Sequence, residues 1–236
     1  MKKLIIIALF FSVSLLNAQE DAKEWLKKMN NAYAAAKSVR MVFTVDYYAS
    51  SIQNTPSSSS KGEVRYSGLN YYSDAMGQII VVNKHYSLLI NKVEHTITCL
   101  PGRDATKKEQ QEMNANTIAM LDSSWLSSSK LKLLDQSGPF RRIEIIDVGG
   151  IYEKTELKIN AATFALEEVT YYYSRLENGS SPKLIITYSS VSFNSGLSDI
   201  DFTEKNYIRK INGKLSPATA WNNYQVIDLT SGTESK

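Results

Sequence analysis

SVRMVFTVDYY, Ser38 to Tyr48, is the stretch whose reading decides the fold. Met41, Phe43, Val45 and Tyr47 fall on one side of an extended chain, with Val42, Thr44, Asp46 and Tyr48 on the other. Such period-2 alternation of β-branched and aromatic residues marks a strand. Further strand-like runs follow at close intervals: Glu63 to Tyr66, Asn70 to Asp74, Gln78 to Val82, Tyr86 to Ile90 and Glu94 to Cys99. The breaks between them carry the turn formers Ser67-Gly68, Gly77, Asn83-Lys84 and Asn91-Lys92. These are too short to hold a crossover helix, so neighbouring strands must pair antiparallel, as a meander.

Strands resume later in the chain, at Lys130 to Leu134, Phe140 to Val148, Tyr152 to Ile159, Phe164 to Ser174 and Lys183 to Phe193. Alternation within Phe164 to Ser174 places Phe164, Leu166 and Tyr172 with Glu168 and Thr170, and Val169, Tyr171 and Tyr173 opposite. Both faces are then partly apolar, which suits a curved sheet with a lined interior. Asn212-Gly213 between Tyr207–Ile211 and Lys214–Ser216 is a strong hairpin signal. Tyr224 to Leu229 can pair at an edge.

Between these runs lie three segments of other character. Asp21 to Lys37 places Trp25, Met29, Ala32, Tyr33 and Ala36 on one stripe, with Asp21 and Glu24 at capping-box spacing, and so predicts an amphipathic helix that covers the sheet. Ser50 to Lys61, with Pro56 and the serines Ser57 to Ser60, reads as a flexible connection. Leu100 to Ser129 predicts one or two short helices forming a lid, with Met113, Met120, Leu121 and Trp125 as its apolar residues.

Lys2-Lys3, the apolar run Leu4 to Leu16 and Ala18 have the layout of a secretory signal peptide, and the run is shorter than the roughly 20 residues a bilayer span needs. Residues 1–19 are therefore expected to be removed on export, leaving 20–236 as a single soluble domain. Their removal lowers the formal net charge from +3 to +1, which argues against a nucleic-acid partner. The lone Cys99 forms no internal disulfide and is expected to be a buried strand residue.

Little in the sequence supports catalysis. His85 and His95 are the only histidines, and no zinc-type spacing surrounds them, so no metal and no cofactor is expected. Glu167-Glu168 point to opposite faces of a strand and cannot converge on one substrate. Fourteen tyrosines and many aliphatics instead fit either a filled core or an apolar ligand cavity. The cavity residues would be Trp25, Met29, Met41, Phe43, Val45, Tyr47, Tyr66, Tyr86, Leu88, Ile97, Phe164, Leu166, Tyr172, Ile186 and Tyr188.

An N-terminal amphipathic helix, then Ser38 to Val45, then Gly62 to Tyr66 and a chain of short strands, resembles the outer-membrane lipoprotein carrier protein (LolA-like) family. Leu166 to Tyr171, Leu184 to Ser189, Asn194 and Phe202 are similar to that family's closing strands. Arg65-Tyr66-Ser67 and Asn83-Lys84 stand where the family carries Arg-Pro and Asp-Gly. The resemblance implies a mainly β fold with some α: an open antiparallel half-barrel with an N-terminal helix and short lid helices in its concavity. It also implies a monomeric, non-enzymatic periplasmic carrier whose partner is an acylated lipoprotein or lipid, alongside envelope membrane proteins. The alternative is an envelope interaction scaffold with a filled core.

Overall fold

The computed structural model describes residues 21–102, 130–135, 138–146, 151–176 and 179–230. Among these residues it holds one large curved sheet that does not close on itself, a separate two-stranded hairpin and one α-helix. The strands are β1 (Ser38–Tyr48), β2 (Ser58–Ser67), β3 (Asn70–Ala75), β4 (Gln78–Val82), β5 (Tyr86–Asn91), β6 (Thr96–Pro101), β7 (Lys130–Asp135), β8 (Phe140–Ile146), β9 (Tyr152–Asn160), β10 (Leu166–Tyr173) and β11 (Lys183–Phe193). After them come the hairpin β12 (Ile208–Ile211) and β13 (Lys214–Pro217), then β14 (Gln225–Asp228). The sheet order is β14-β6-β5-β4-β3-β2-β1-β11-β10-β9-β8-β7, antiparallel throughout except where β14 adds parallel to β6. β1 is the seam: β2 pairs along one side of it and the returning β11 along the other, from Val39↔Phe193 to Tyr48↔Lys183.

The α-helix of the described residues, α1 (Ala22–Ala35), starts where Asp21 accepts the Lys23 N–H at 3.0 Å, and a Glu24–Lys28 pair at 3.0 Å spans one turn. It buries Ala22, Trp25, Leu26, Met29 and Tyr33. Leu26, beside Trp25, widens the stripe beyond the residues picked out by spacing.

The register shows that the sheet buries opposite faces in its two halves. On the face that carries Val39 and Met41, called A here, lie Tyr66, Val169, Tyr171, Leu157, Ile143 and Ile145, and α1 packs against them. On face B, which carries Arg40, lie Tyr72, Ile79, Val81, Leu88, Ile90, Ile97 and Cys99 of β3 to β6. There the cover is the C-terminal segment, through Phe202, Tyr207, Ile208, Leu215, Trp221 and Tyr224. The change-over is marked by charge. Arg65 on β2 lies 3.9 Å from the Tyr72 ring centroid, 3.4 Å from Glu63 and 3.6 Å from Asp201, and Arg40 reaches Glu63 at 2.7 Å.

Several boundaries differ from the sequence reading. β2 begins at Ser58 inside the serine run, because Val45, Asp46 and Tyr47 offer backbone partners to Ser60, Ser59 and Ser58. β6 starts at Thr96, two residues late, since the Asn91 side chain accepts the N–H groups of Val93 and Glu94 and His95 turns at φ 53°. The hairpin forms as read, with Asn212 at φ 49° and Gly213 at φ 83°, the left-handed pair of a two-residue turn. The signal segment and the lid residues Met113, Met120, Leu121 and Trp125 lie outside the described residues.

Candidate functional site

α1 crosses one end of face A. Its Trp25 ring meets Phe164 at 5.6 Å and lies 4.8 Å from the Arg141 guanidinium, and its Tyr33 ring meets Phe193 edge-on at 4.9 Å. The Tyr33 hydroxyl accepts the Leu166 N–H at 3.0 Å, and the Tyr66 hydroxyl donates to the Tyr33 carbonyl at 3.4 Å. Trp25, Met29, Met41, Tyr66, Phe164 and Leu166 are thus brought together, but as the bed of the helix.

Strands advance about 3.3 Å per residue, so Phe43, Val45 and Tyr47 lie roughly 13 to 26 Å along β1 from Val39. Across the register Val45 faces Ile186 and Tyr47 faces Leu184, while the Phe43 ring approaches Tyr188 at 5.8 Å. Beyond them come Tyr171 and Tyr152, 4.8 Å apart, and Tyr173, 5.1 Å from Tyr152. Gly62 lies under the Phe43 ring, where any Cβ would overlap the ring carbons. This end of face A is therefore a floor of aromatic and aliphatic side chains, and Phe43, Val45, Tyr47, Ile186 and Tyr188 of the expected set belong to it.

Burial sets the chemistry of the floor. Desolvation pushes the Tyr188 phenol up to about 12 and raises Tyr171 and Tyr173 as well. Thr155 on β9, opposite Tyr171, is fully buried, and its hydroxyl has no hydrogen-bond partner. An unsatisfied buried hydroxyl costs about 1–3 kcal/mol, which makes Thr155 the polar group in the floor with unused bonding capacity.

Four expected cavity residues belong elsewhere. Tyr86, Leu88 and Ile97 are on face B under the C-terminal segment, because the buried face switches between the halves. Tyr172 is on face B of the other half, with the Lys154 ammonium 4.4 Å above its ring. Leu166 escapes that grouping because Glu167 is an extra residue: the register passes from Leu166↔Ile159 to Glu168↔Lys158, which turns Leu166 onto the face of Val169 and Tyr171. Period-2 counting cannot see a bulge.

His85 and His95 are both exposed and sit in turns; the His95 ring stacks on Tyr224 at 5.0 Å. Among the described residues no group of three or more His, Cys, Asp or Glu converges. Cys99 is fully buried, and desolvation pushes its thiol up to about 11. Burial works against the Lys154 ammonium, but hydrogen bonds to Glu156 at 2.7 Å and Glu144 at 3.1 Å outweigh it and carry the group up to about 12. Two polar grooves border the C-terminal segment, one of about 250 Å³ beside Asn70, Asn83 and Glu204, the other of about 460 Å³ beside His85, Tyr86 and Thr230. Both are separate from the aromatic floor.

Fold and floor together define a mainly β protein, with α1 covering an open, mostly antiparallel sheet among the described residues. No family model matches the chain, and no curated protein matches it. Among solved structures, an uncharacterized conserved protein from Thermus thermophilus is 11% identical, covering 88% of this chain and 98% of its own, with a TM-score of 0.47. A chain of the Pseudomonas aeruginosa MucA/MucB complex is 12% identical over 84% of this chain and 74% of its own, at 0.48. A domain provisionally assigned to outer membrane lipoprotein sorting, from Vibrio parahaemolyticus, is 11% identical over 78% and 98%, at 0.35. The fold assignment stands on the register of the strands themselves.

Proposed function

We propose that this protein is an exported, non-catalytic binding protein that holds an acyl-bearing ligand, lipid or lipoprotein, against the aromatic end of face A. The observation that carries the reading is the floor itself: Phe43, Val45, Tyr47, Tyr171, Ile186 and Tyr188 share one face, continuous with the bed of α1. Tyrosine rings offer flat apolar area to a hydrocarbon chain at little entropic cost. Export rests on the Lys2-Lys3, Leu4–Leu16 and Ala18 pattern.

A protein-binding scaffold is the second reading, favoured by one observation. Strand β14 adds to the β6 edge and its flanking segment covers an apolar face, so this sheet already accepts polypeptide in that way. Mass spectrometry of protein purified gently from its own envelope separates the two. A co-purified lipid or lipopeptide supports the carrier, whereas a lipid-free protein that also fails to take up a fluorescent long-chain fatty acid refutes it. Tyr188→Asp places a charge in the floor and is expected to abolish uptake.

A further inference from the structure

Strand β2 keeps a glycine in its interior without a backbone reason for it. Gly62 pairs in regular antiparallel register with Phe43, and its φ is not one of the left-handed ones. A glycine inside a strand weakens it, because more backbone freedom is lost on folding and no side chain is packed. What the position demands is room. A Cβ on Gly62 would overlap Phe43 Cε2 and Cζ and stand 3.2 Å from the Ala75 Cβ. The Phe43 ring therefore leans across β2 and fills the space above the glycine. It is half-buried and lies outside the buried core of either half of the sheet.

The neighbours give this placement a use. On face A, β2 carries Tyr66 and Val64 in the bed of α1, and then Gly62, Ser60 and Ser58. Past the bed β2 has no apolar side chain of its own on this face, and the Phe43 ring supplies one from β1. Along the row of cross-strand neighbours come Tyr188, Phe43, Gly62, Ala75 and Gln78. The ring meets Tyr188 on its β11 side, at 5.8 Å between centroids. From Tyr188 to Ala75 is three strand spacings, roughly 14 Å, and the row is apolar over that length because the ring covers the glycine. The exposed amide of Gln78 ends it.

We infer that Phe43 and Gly62 are a specificity-determining pair for long acyl chains: the ring, seated over the glycine, bridges the aromatic floor to β3 and lets a chain continue across β2. The inference rests on the acyl-binding reading of face A and sharpens it. A side chain at position 62 lifts the ring from its seat into the path of the chain, so a long chain loses contacts beyond β1 while a short one keeps its own. Covering a strand glycine with a cross-strand aromatic also stabilises a sheet. That role acts on folding and on every ligand alike, whereas the bridge acts on the preference between chain lengths.

The test is displacement of a fluorescent fatty acid from the exported protein by octanoate and by hexadecanoate, whose chains are respectively shorter and longer than the row from Tyr188 to Ala75. Each methylene kept off an apolar surface costs about two- to fourfold in affinity, so Gly62→Ala should lower the preference for hexadecanoate over octanoate by about tenfold or more. Phe43→Ser, which keeps the glycine and removes the bridge, should lower it as much and covers the case in which Gly62→Ala does not fold. Gly62→Ala combined with Phe43→Leu removes the overlapping ring carbons and should restore the preference to within about threefold of the parent, less than the effect of two methylenes. The inference is overturned if both single variants keep the parent's preference, if they weaken both acids alike, or if the double variant does not recover it. A parent protein that binds neither acid overturns the acyl-binding reading as well, which sets that failure apart from a failure of the bridge alone.

Discussion

Replacing Tyr33 by phenylalanine removes one oxygen from the contact that locks α1 to the sheet. Tyr33 is 1% exposed and its hydroxyl accepts the Leu166 N–H at 3.0 Å, at the point where β10 bulges. The ring remains, so its edge-on contact with Phe193 at 4.9 Å and its apolar burial are retained. What changes is that a buried N–H loses its acceptor, which costs about 1–3 kcal/mol. Tyr66→Phe is the internal control. Its hydroxyl bond to the Tyr33 carbonyl is long, 3.4 Å, and that carbonyl keeps the Ala36 N–H at 3.2 Å, so the loss should stay under about 1 kcal/mol. Equilibrium urea unfolding followed by circular dichroism reads both, with unchanged m-values expected because the exposed area is the same. If Tyr33→Phe is as stable as the parent, or if Tyr66→Phe costs more, then the helix is held by packing alone and the argument from the buried N–H is wrong.

Further outcomes follow from the same geometry. Met29→Ala, at a side chain with no exposure, should cost about 2–5 kcal/mol in the same unfolding assay. Truncation after Asn194 uncovers Ile79, Leu88, Ile97 and Cys99, so a thiol reagent that leaves Cys99 untouched in the parent should label it rapidly, and the truncated protein should aggregate. Asn83→Ala should loosen the same segment by about 2–4 kcal/mol, since this buried amide donates to Phe202 O and Glu204 and accepts from the His85 and Tyr86 N–H groups. Tyr33, Tyr66, Tyr171, Tyr188 and Tyr207 all have their phenol ionisation raised by desolvation. The folded state then binds more protons than the unfolded one above the ordinary tyrosine value near 10, so stability should be complete below about pH 10 and fall as pH rises beyond it. A spectrophotometric titration in which these tyrosines ionise before any loss of structure would contradict this.

Much of the fold was legible because it rests on local physics. The Asp21 cap, the stripe from Trp25 to Tyr33, the meander from Ser38 to Cys99 and the Asn212-Gly213 turn each depend on residues within a few positions of one another. The aromatic floor was only half legible. Phe43, Val45 and Tyr47 were readable as one face of β1, but Tyr171 and Tyr152 were not placed with them, since the bulges at Glu167 and between Tyr172 and Tyr173 reset the alternation. Thr155 gave no signal, because a buried hydroxyl without a partner is a property of its surroundings.

The sequence by itself determined where the chain is extended, where it turns and which residues share a side of each strand. Only the tertiary structure decided which side is inside. β3, β4 and β5 are apolar on both faces, with Tyr71 beside Tyr72, Ile79 beside Ile80, Val81 beside Val82 and Leu88 beside Leu89, so alternation carried no preference there. The choice was made by what arrived to cover them: α1 on face A of one half, and on face B of the other a C-terminal segment that joins β6 from more than a hundred residues away in the chain. Burial is a pairing of two surfaces, and a strand states only its own.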